Sequence, residues 1–163
     1  MRTALVIGTG LIGTSAALAL AGRGVTVHLV DHDPARARTA AALGAGTDEA
    51  PDGPVDLAIV AAPPAHVAGV LADAMRRGVA RGYIDVASVK GGPRRELEGL
   101  GLDLSSYIGT HPMSGREKSG PLAASGPERS LPDIGCEPMY ADRSSPSPSS
   151  SRRGPPLTLA TSR

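Results

Sequence analysis

Phenylalanine and tryptophan are absent from these 163 residues, and three tyrosines bring the aromatic content to only 2%. A core must therefore be assembled from Ala, Val, Leu and Ile, which bury less area per residue, so the stability margin is expected to be thin. A single cysteine, Cys136, excludes an internal disulfide. No apolar stretch approaches the ~18 unbroken residues of a membrane-spanning helix, and the basic region of a signal peptide is missing, which together predict a soluble cytoplasmic protein. Neither charge dominates: the net charge is +1, with acids and bases interspersed, which argues against nucleic-acid or membrane partners. His28, His32 and His66 form no metal-ligand spacing with Cys136 or with an acid pair, so no metal is expected and the three are read as surface or cap residues.

Glycine, by contrast, is abundant and placed where it matters. The segment Leu5-Val-Ile-Gly8-Thr9-Gly10-Leu11-Ile12-Gly13 lies between a short apolar run, residues 2–7, and an alanine- and leucine-rich helix, residues 11–23. A lone G-x-G-x-x-G is often an ordinary turn; strand before and helix after make it a dinucleotide-binding fingerprint. Gly8 allows the tight turn, Gly10 lets a pyrophosphate approach the backbone, and Gly13 lets helix and strand pack closely. The N–H groups that open the helix meet the phosphate charge. Gly24 suits a left-handed helix end before a second strand, residues 25–30. Asp31 then falls at that strand's carboxyl end, where a carboxylate accepts bonds from the adenosine ribose and repels a 2′-phosphate, favouring NAD over NADP. Arg36 and Arg38 leave NADP open. Asp33-Pro34 has the form of an N-cap followed by proline at the first helical position, so Asp31 and Asp33 can divide the ribose and capping tasks.

The pattern continues with a helix over residues 34–43, a strand over 55–61, a helix over 65–77 opened by Pro63-Pro64, a strand over 83–86, a short helix over 93–100 and a short strand over 107–109. Strands with little polar alternation are expected where helices cover both faces of a sheet. The fold class is thus α/β, a Rossmann-type doubly wound, mainly parallel sheet. Ligands of such sheets bind outside the carboxyl ends of the strands, where Gly8, Asp31, Ala62, Pro63, Ser88 and His111 all fall.

Two further stretches stand out: Asp85-Val-Ala-Ser88-Val-Lys90, and Gly109-Thr-His111-Pro-Met-Ser-Gly115-Arg-Glu-Lys-Ser-Gly120. With the glycine turn they resemble the prephenate/arogenate dehydrogenase family, over residues 1–124. The resemblance implies NAD-dependent oxidative decarboxylation of prephenate to 4-hydroxyphenylpyruvate in tyrosine biosynthesis. It also implies that His111 contacts the ring hydroxyl of the substrate and that Ser88 helps hold histidine and substrate. Those roles agree with the chemistry: a neutral imidazole accepts a hydroxyl proton near neutral pH. Pro112 keeps the residue before it extended, which fixes the direction of the His111 ring. Lys90 and Arg116 are candidate anion contacts, or simply solvated charges. Arogenate as substrate, a fragment that binds dinucleotide without turnover, and another reductase on the same fold, such as a β-hydroxyacid dehydrogenase, stay open.

From residue 125 the apolar periodicity stops, and a Ser/Pro/Arg-rich stretch such as 144–153 buries too little surface to offset its ordering entropy. Residues 125–163 are therefore expected to be a disordered tail. The resemblance implies a helical, dimerising second domain at this point, which the sequence from residue 125 is not expected to form. Gly, Pro, Ser and Arg without periodicity is what a shifted frame of GC-rich DNA encodes, so a frameshift product or truncated-gene tail is expected here.

Overall fold

The computed structural model describes residues 1–88, 91–111 and 137–138. Strand β1 (Thr3–Ile7) turns through the glycines into α1 (Leu11–Ala21), and β2 (Thr26–Val30) leads to α2 (Pro34–Ala42). Next come β3 (Val55–Val60), α3 (Pro64–Arg76), β4 (Ala80–Asp85), α4 (Gly91–Gly99), β5 (Tyr107–His111) and the two-residue β6 (Glu137–Pro138). The sheet order is β2-β1-β3-β4-β5-β6. All pairs are parallel except β5 with β6, which is antiparallel. This is a doubly wound sheet whose order reverses between β1 and β3, and that reversal opens a crevice at the carboxyl ends.

Burial follows from the alternation of side chains along each strand. On one face Leu5, Ala58, Val60 and Tyr83 pack with Val67, Leu71 and Leu97 from α3 and α4. On the other, Val6, Val27, Leu29 and Ile59 pack with Ala17, Ala37 and Ala40 from α1 and α2. Alanines on α1 and α2 let the second layer approach closely without aromatic filler. The two buried tyrosines each give their hydroxyl a partner: Tyr83 accepts from the Ala80 amide at 3.2 Å and Tyr107 donates to Asp85 Oδ2 at 2.6 Å. Among the described residues no helix is long and apolar enough to cross a membrane.

Several boundaries differ from the sequence expectation for identifiable reasons. Strand β4 starts at Ala80 rather than at residue 83, because Gly82 registers against Leu57 and exposed Arg81 lies 3.7 Å from Asp56. Polar and glycine residues hide a strand that pairing makes. Helix α1 closes at Gly22, whose amide donates to Leu18, and Gly24 takes the left-handed conformation at φ +78°. Beyond β2, Thr47 makes one parallel bridge to His28, receiving from the Leu29 amide at 2.7 Å and donating to Val27 at 2.9 Å. Gly46 permits that approach, since a Cβ there would lie 2.3 Å from the Val27 oxygen. Strand β5 runs on to His111, its edge partly covered by β6: Thr110 registers with Pro138 and His111 with Glu137. That pairing satisfies edge groups which would otherwise stand open, and it falls within a segment whose composition announces no regular structure. The rest of the segment read as a tail lies outside the described residues, as do Lys90, Arg116 and Cys136.

Candidate cofactor site

Each glycine of the first turn meets a different steric demand. Gly8 has φ +100°, donates its amide to Val30 at 2.8 Å, and would place a Cβ 2.6 Å from the Ala61 oxygen. At Gly13 a Cβ would sit 1.9 Å from the Gly8 oxygen, so helix and turn are in contact through bare backbone. Gly10 is different: a Cβ there would meet nothing within 4 Å, and as N-cap of α1 it brings no side-chain cap. The space beside Gly10 is open toward the helix amides, whose first-turn N–H groups have no acceptor within the helix. Leu11 is half-buried and Ile12 is 44% exposed at the same mouth.

Asp31 stands next to this turn and is bound to it. Its Oδ2 accepts from the Thr9 amide at 2.7 Å and the Thr9 hydroxyl at 3.0 Å, while Oδ1 accepts from the Asp33 amide at 3.0 Å. His32 Nδ1 lies 2.9 Å from the same Oδ1. Thr9 is fully buried and its carbonyl accepts from the Thr14 hydroxyl at 3.0 Å, so turn, helix and acid form one locked unit. Burial pushes the Asp31 carboxyl up, but the Thr9 and Asp33 amides, the Thr9 hydroxyl and neighbouring His32 outweigh it and hold the pKa below the ordinary carboxylate value. Asp33 caps α2 by accepting from the Ala35 amide at 2.9 Å, with Pro34 following, which is the capping half of the expected division between the two acids. A cleft of about 140 Å³ opens beside Asp31, lined by Leu29, Val30, Pro34, Ala37 and Asp48.

Across the reversal in strand order, Ala62 and Pro63 continue from β3 into α3, and Gly8 packs on this segment. Ser88 is exposed just beyond β4, and His111 is the last residue of β5. Because β2, β1, β3, β4 and β5 are adjacent and parallel, Asp31, the glycine turn, Ala62-Pro63, Ser88 and His111 share one edge of the sheet. The side chain of His111 lies outside the described residues.

Sequence reasoning passed over a buried polar knot between the last two of these strands. Asp85, fully buried, accepts from the Ala87 amide at 2.9 Å and the Tyr107 hydroxyl at 2.6 Å. Its backbone carbonyl accepts from the Thr110 hydroxyl at 2.7 Å. The knot ties the strand before Ser88 to the strand that carries His111. An acid closing an apolar run, Tyr83-Ile-Asp85-Val-Ala, was the available signal. Asp48 was also missed, because only the tertiary fold brings it to the cleft. Among the described residues no group of three potential ligands could hold a metal.

The comparisons agree with this geometry. Residues 15–129 match the model of the prephenate dehydrogenase nucleotide-binding domain. A probable prephenate dehydrogenase of Streptomyces niveus, NovF, is 57% identical over 126 residues, which cover 77% of this chain and 35% of the relative. Synechocystis arogenate dehydrogenase superposes with a TM-score of 0.65 at 25% identity, over 77% of this chain and 46% of that one. Prephenate dehydrogenase from Aquifex aeolicus superposes with a TM-score of 0.64 at 26% identity, over 76% and 47%. A structure of the Aquifex enzyme with hydroxyphenyl propionate and NAD+ shares the fold, with a TM-score of 0.62 at 24% identity, over 77% and 46%. The chain thus spans between a third and a half of the length of these relatives.

Proposed function

The chain belongs to the prephenate dehydrogenase family through its nucleotide-binding domain, and from that premise we propose that it serves as an NAD-dependent prephenate dehydrogenase. The observation that carries the reading is the convergence on one sheet edge of the glycine turn, Asp31, Ser88 and His111. The residues fit a dinucleotide: Gly10 leaves room where a Cβ would otherwise project, beside the amides of the first helical turn. Gly10, Leu11, Ile12 and Gly13 would hold the pyrophosphate on the turn that Gly8 and Thr9 shape, Asp31 the adenosine ribose, and the cleft above Leu29 and Ala37 the adenine. Ala62, Pro63 and Ser88 would line the way to the nicotinamide. Two carboxylates, Asp31 and Asp48, border the ribose corner and disfavour a 2′-phosphate, which supports NAD over NADP.

When bound, NAD supplies the hydride acceptor. His111 takes the proton of the ring hydroxyl as the carbon bearing it loses hydride, and Ser88 steadies imidazole and substrate. The ring carboxylate departs as carbon dioxide, its bonding pair entering the ring, and aromatisation makes the step irreversible. The product is 4-hydroxyphenylpyruvate, the tyrosine precursor. Arogenate is the alternative substrate of the same chemistry. The length of the match, about a third of NovF, favours a second reading in which the chain holds cofactor without turnover.

Two measurements on the chain separate these readings. Titration with NADH tests the fingerprint, and the absorbance change with prephenate and NAD tests turnover. Binding with a prephenate-dependent rate lost in His111→Ala supports the enzyme. Binding without any rate selects the cofactor-holding unit, and an unchanged rate in His111→Ala refutes the base assignment.

A further inference from the structure

We propose that His32 is a displaceable donor occupying the ribose position on Asp31, so that its charge sets how sharply this site distinguishes NAD from NADP. The proposal rests on Asp31 being the ribose acceptor. A carboxylate offers about four lone-pair positions, and four donors surround this one. Three belong to the fold: the amide and hydroxyl of fully buried Thr9, and the Asp33 amide that leads into α2. The fourth, His32 Nδ1 at 2.9 Å, comes from a side chain that is 86% exposed. Two of the others are backbone amides fixed by the turn and by the entry to α2, and the third is the hydroxyl of a fully buried residue, so His32 is the donor most free to move. A ribose hydroxyl reaching Asp31 must therefore take the position of His32.

The cost of that exchange depends on proton count. A protonated imidazole holds a carboxylate by a charge-assisted bond, and a neutral one holds it more weakly. NAD binding should therefore strengthen as the imidazole loses its proton. NADP behaves in the opposite sense: a 2′-phosphate placed beside Asp31 and Asp48 gains from a cationic His32. The charged groups around this corner are Asp31 itself at the end of β2, Asp33 and Arg36 of α2, 3.8 Å apart, and Asp48 from the loop across the cleft. Carboxylates and guanidinium groups keep their charge between about pH 6 and 8.5, where imidazole changes its own.

The test measures NADH and NADPH dissociation constants for the full chain, His32→Gln and Asp31→Asn at pH 6 and 8.5. Glutamine keeps a donor and removes the titration. Wild-type affinity for NADH should rise about two- to fivefold from pH 6 to 8.5, the range an exposed ion pair produces, and His32→Gln should flatten that rise. The preference for NADH over NADPH should widen with pH in the wild type and widen less in His32→Gln. Every other group is the same in both proteins, so the difference between them isolates His32. A wild-type pH dependence retained in His32→Gln overturns the proposal. If Asp31→Asn leaves NADH affinity unchanged, or the wild-type chain does not bind NADH, the ribose assignment itself fails. If Asp31→Asn weakens NADH while His32→Gln tracks the wild type, only the role of His32 falls.

Discussion

Replacing a helical glycine by alanine should have opposite effects in α1 and α3. In Gly13→Ala the new methyl group would lie 1.9 Å from the Gly8 oxygen and 3.1 Å from Ala61 Cβ. To reach even a tight contact the two must separate by more than about 1 Å, and the blocking atom is backbone of the turn, so no side chain can rotate away. Overpacking of this kind costs about 1–3 kcal/mol, and rigid partners place it at the upper end. Alanine returns about 1 kcal/mol through helix propensity. The net loss is about 2 kcal/mol, or a fall in Tm of about 8 °C at about 4 °C per kcal/mol. Gly69 sits exposed in α3 with nothing within 4 Å of a would-be Cβ, so Gly69→Ala should gain about 1 kcal/mol and about 4 °C. Thermal melts followed by far-UV circular dichroism measure both, and NADH titration should show weaker binding only in Gly13→Ala. Equal Tm shifts in the two variants, or a Gly13→Ala protein as stable as the wild type, would refute the packing argument.

Tyr107→Phe removes the 2.6 Å bond to buried Asp85 and leaves a buried acceptor one donor short, which costs about 1–3 kcal/mol, and should lower the urea midpoint without changing m. Gly46→Ala would put a Cβ 2.3 Å from the Val27 oxygen and should break the Thr47 bridge, seen as faster amide exchange at Leu29 and Thr47. Because the folded pKa of Asp31 lies below its unfolded value of 3.8, its contribution to stability is complete above about pH 5 and is lost as pH falls through the folded value. Thr9→Val deletes one donor to Asp31, so that pKa should rise toward 3.8 and the acid-induced loss of stability should become shallower; an unaltered slope in acid-dependent urea melts would remove Thr9 from this role.

The parts of the fold that the chain advertised are those in which one residue type answers one local demand. Gly8 and Gly13 sit where a Cβ would strike backbone, Asp33-Pro34 starts a helix, and Gly24 turns the chain at positive φ between α1 and β2, two residues past the helix cap at Gly22. Runs with little polar alternation announced β1 and β3 because both their faces are buried. What stayed hidden depends on residues distant in sequence. The first half of β4 is strand because it pairs with β3, despite Arg81 and Gly82, and Thr47 bridges β2 only because Gly46 lets the chain close in. Asp85, Tyr107 and Thr110 form a knot across 25 residues that no local pattern encodes.

Asp31 shows how a local reading can be incomplete. Its position after β2 is the ground for proposing a ribose acceptor, and nothing local suggests that the same carboxylate clamps the glycine turn through both donors of Thr9. The two tasks reinforce each other physically. Donors from Thr9 and Asp33 keep the carboxylate ionised and aimed, as a ribose acceptor needs, and the price is that its lone pairs are already engaged before any ribose arrives. An acid so placed must give up one donor to gain a ligand, and the most exposed of its donors is the imidazole of His32. On the proposal made for His32, cofactor choice at this corner would depend on the residue after the acid as well as on the acid, a dependence that a glycine-and-acid pattern alone does not contain.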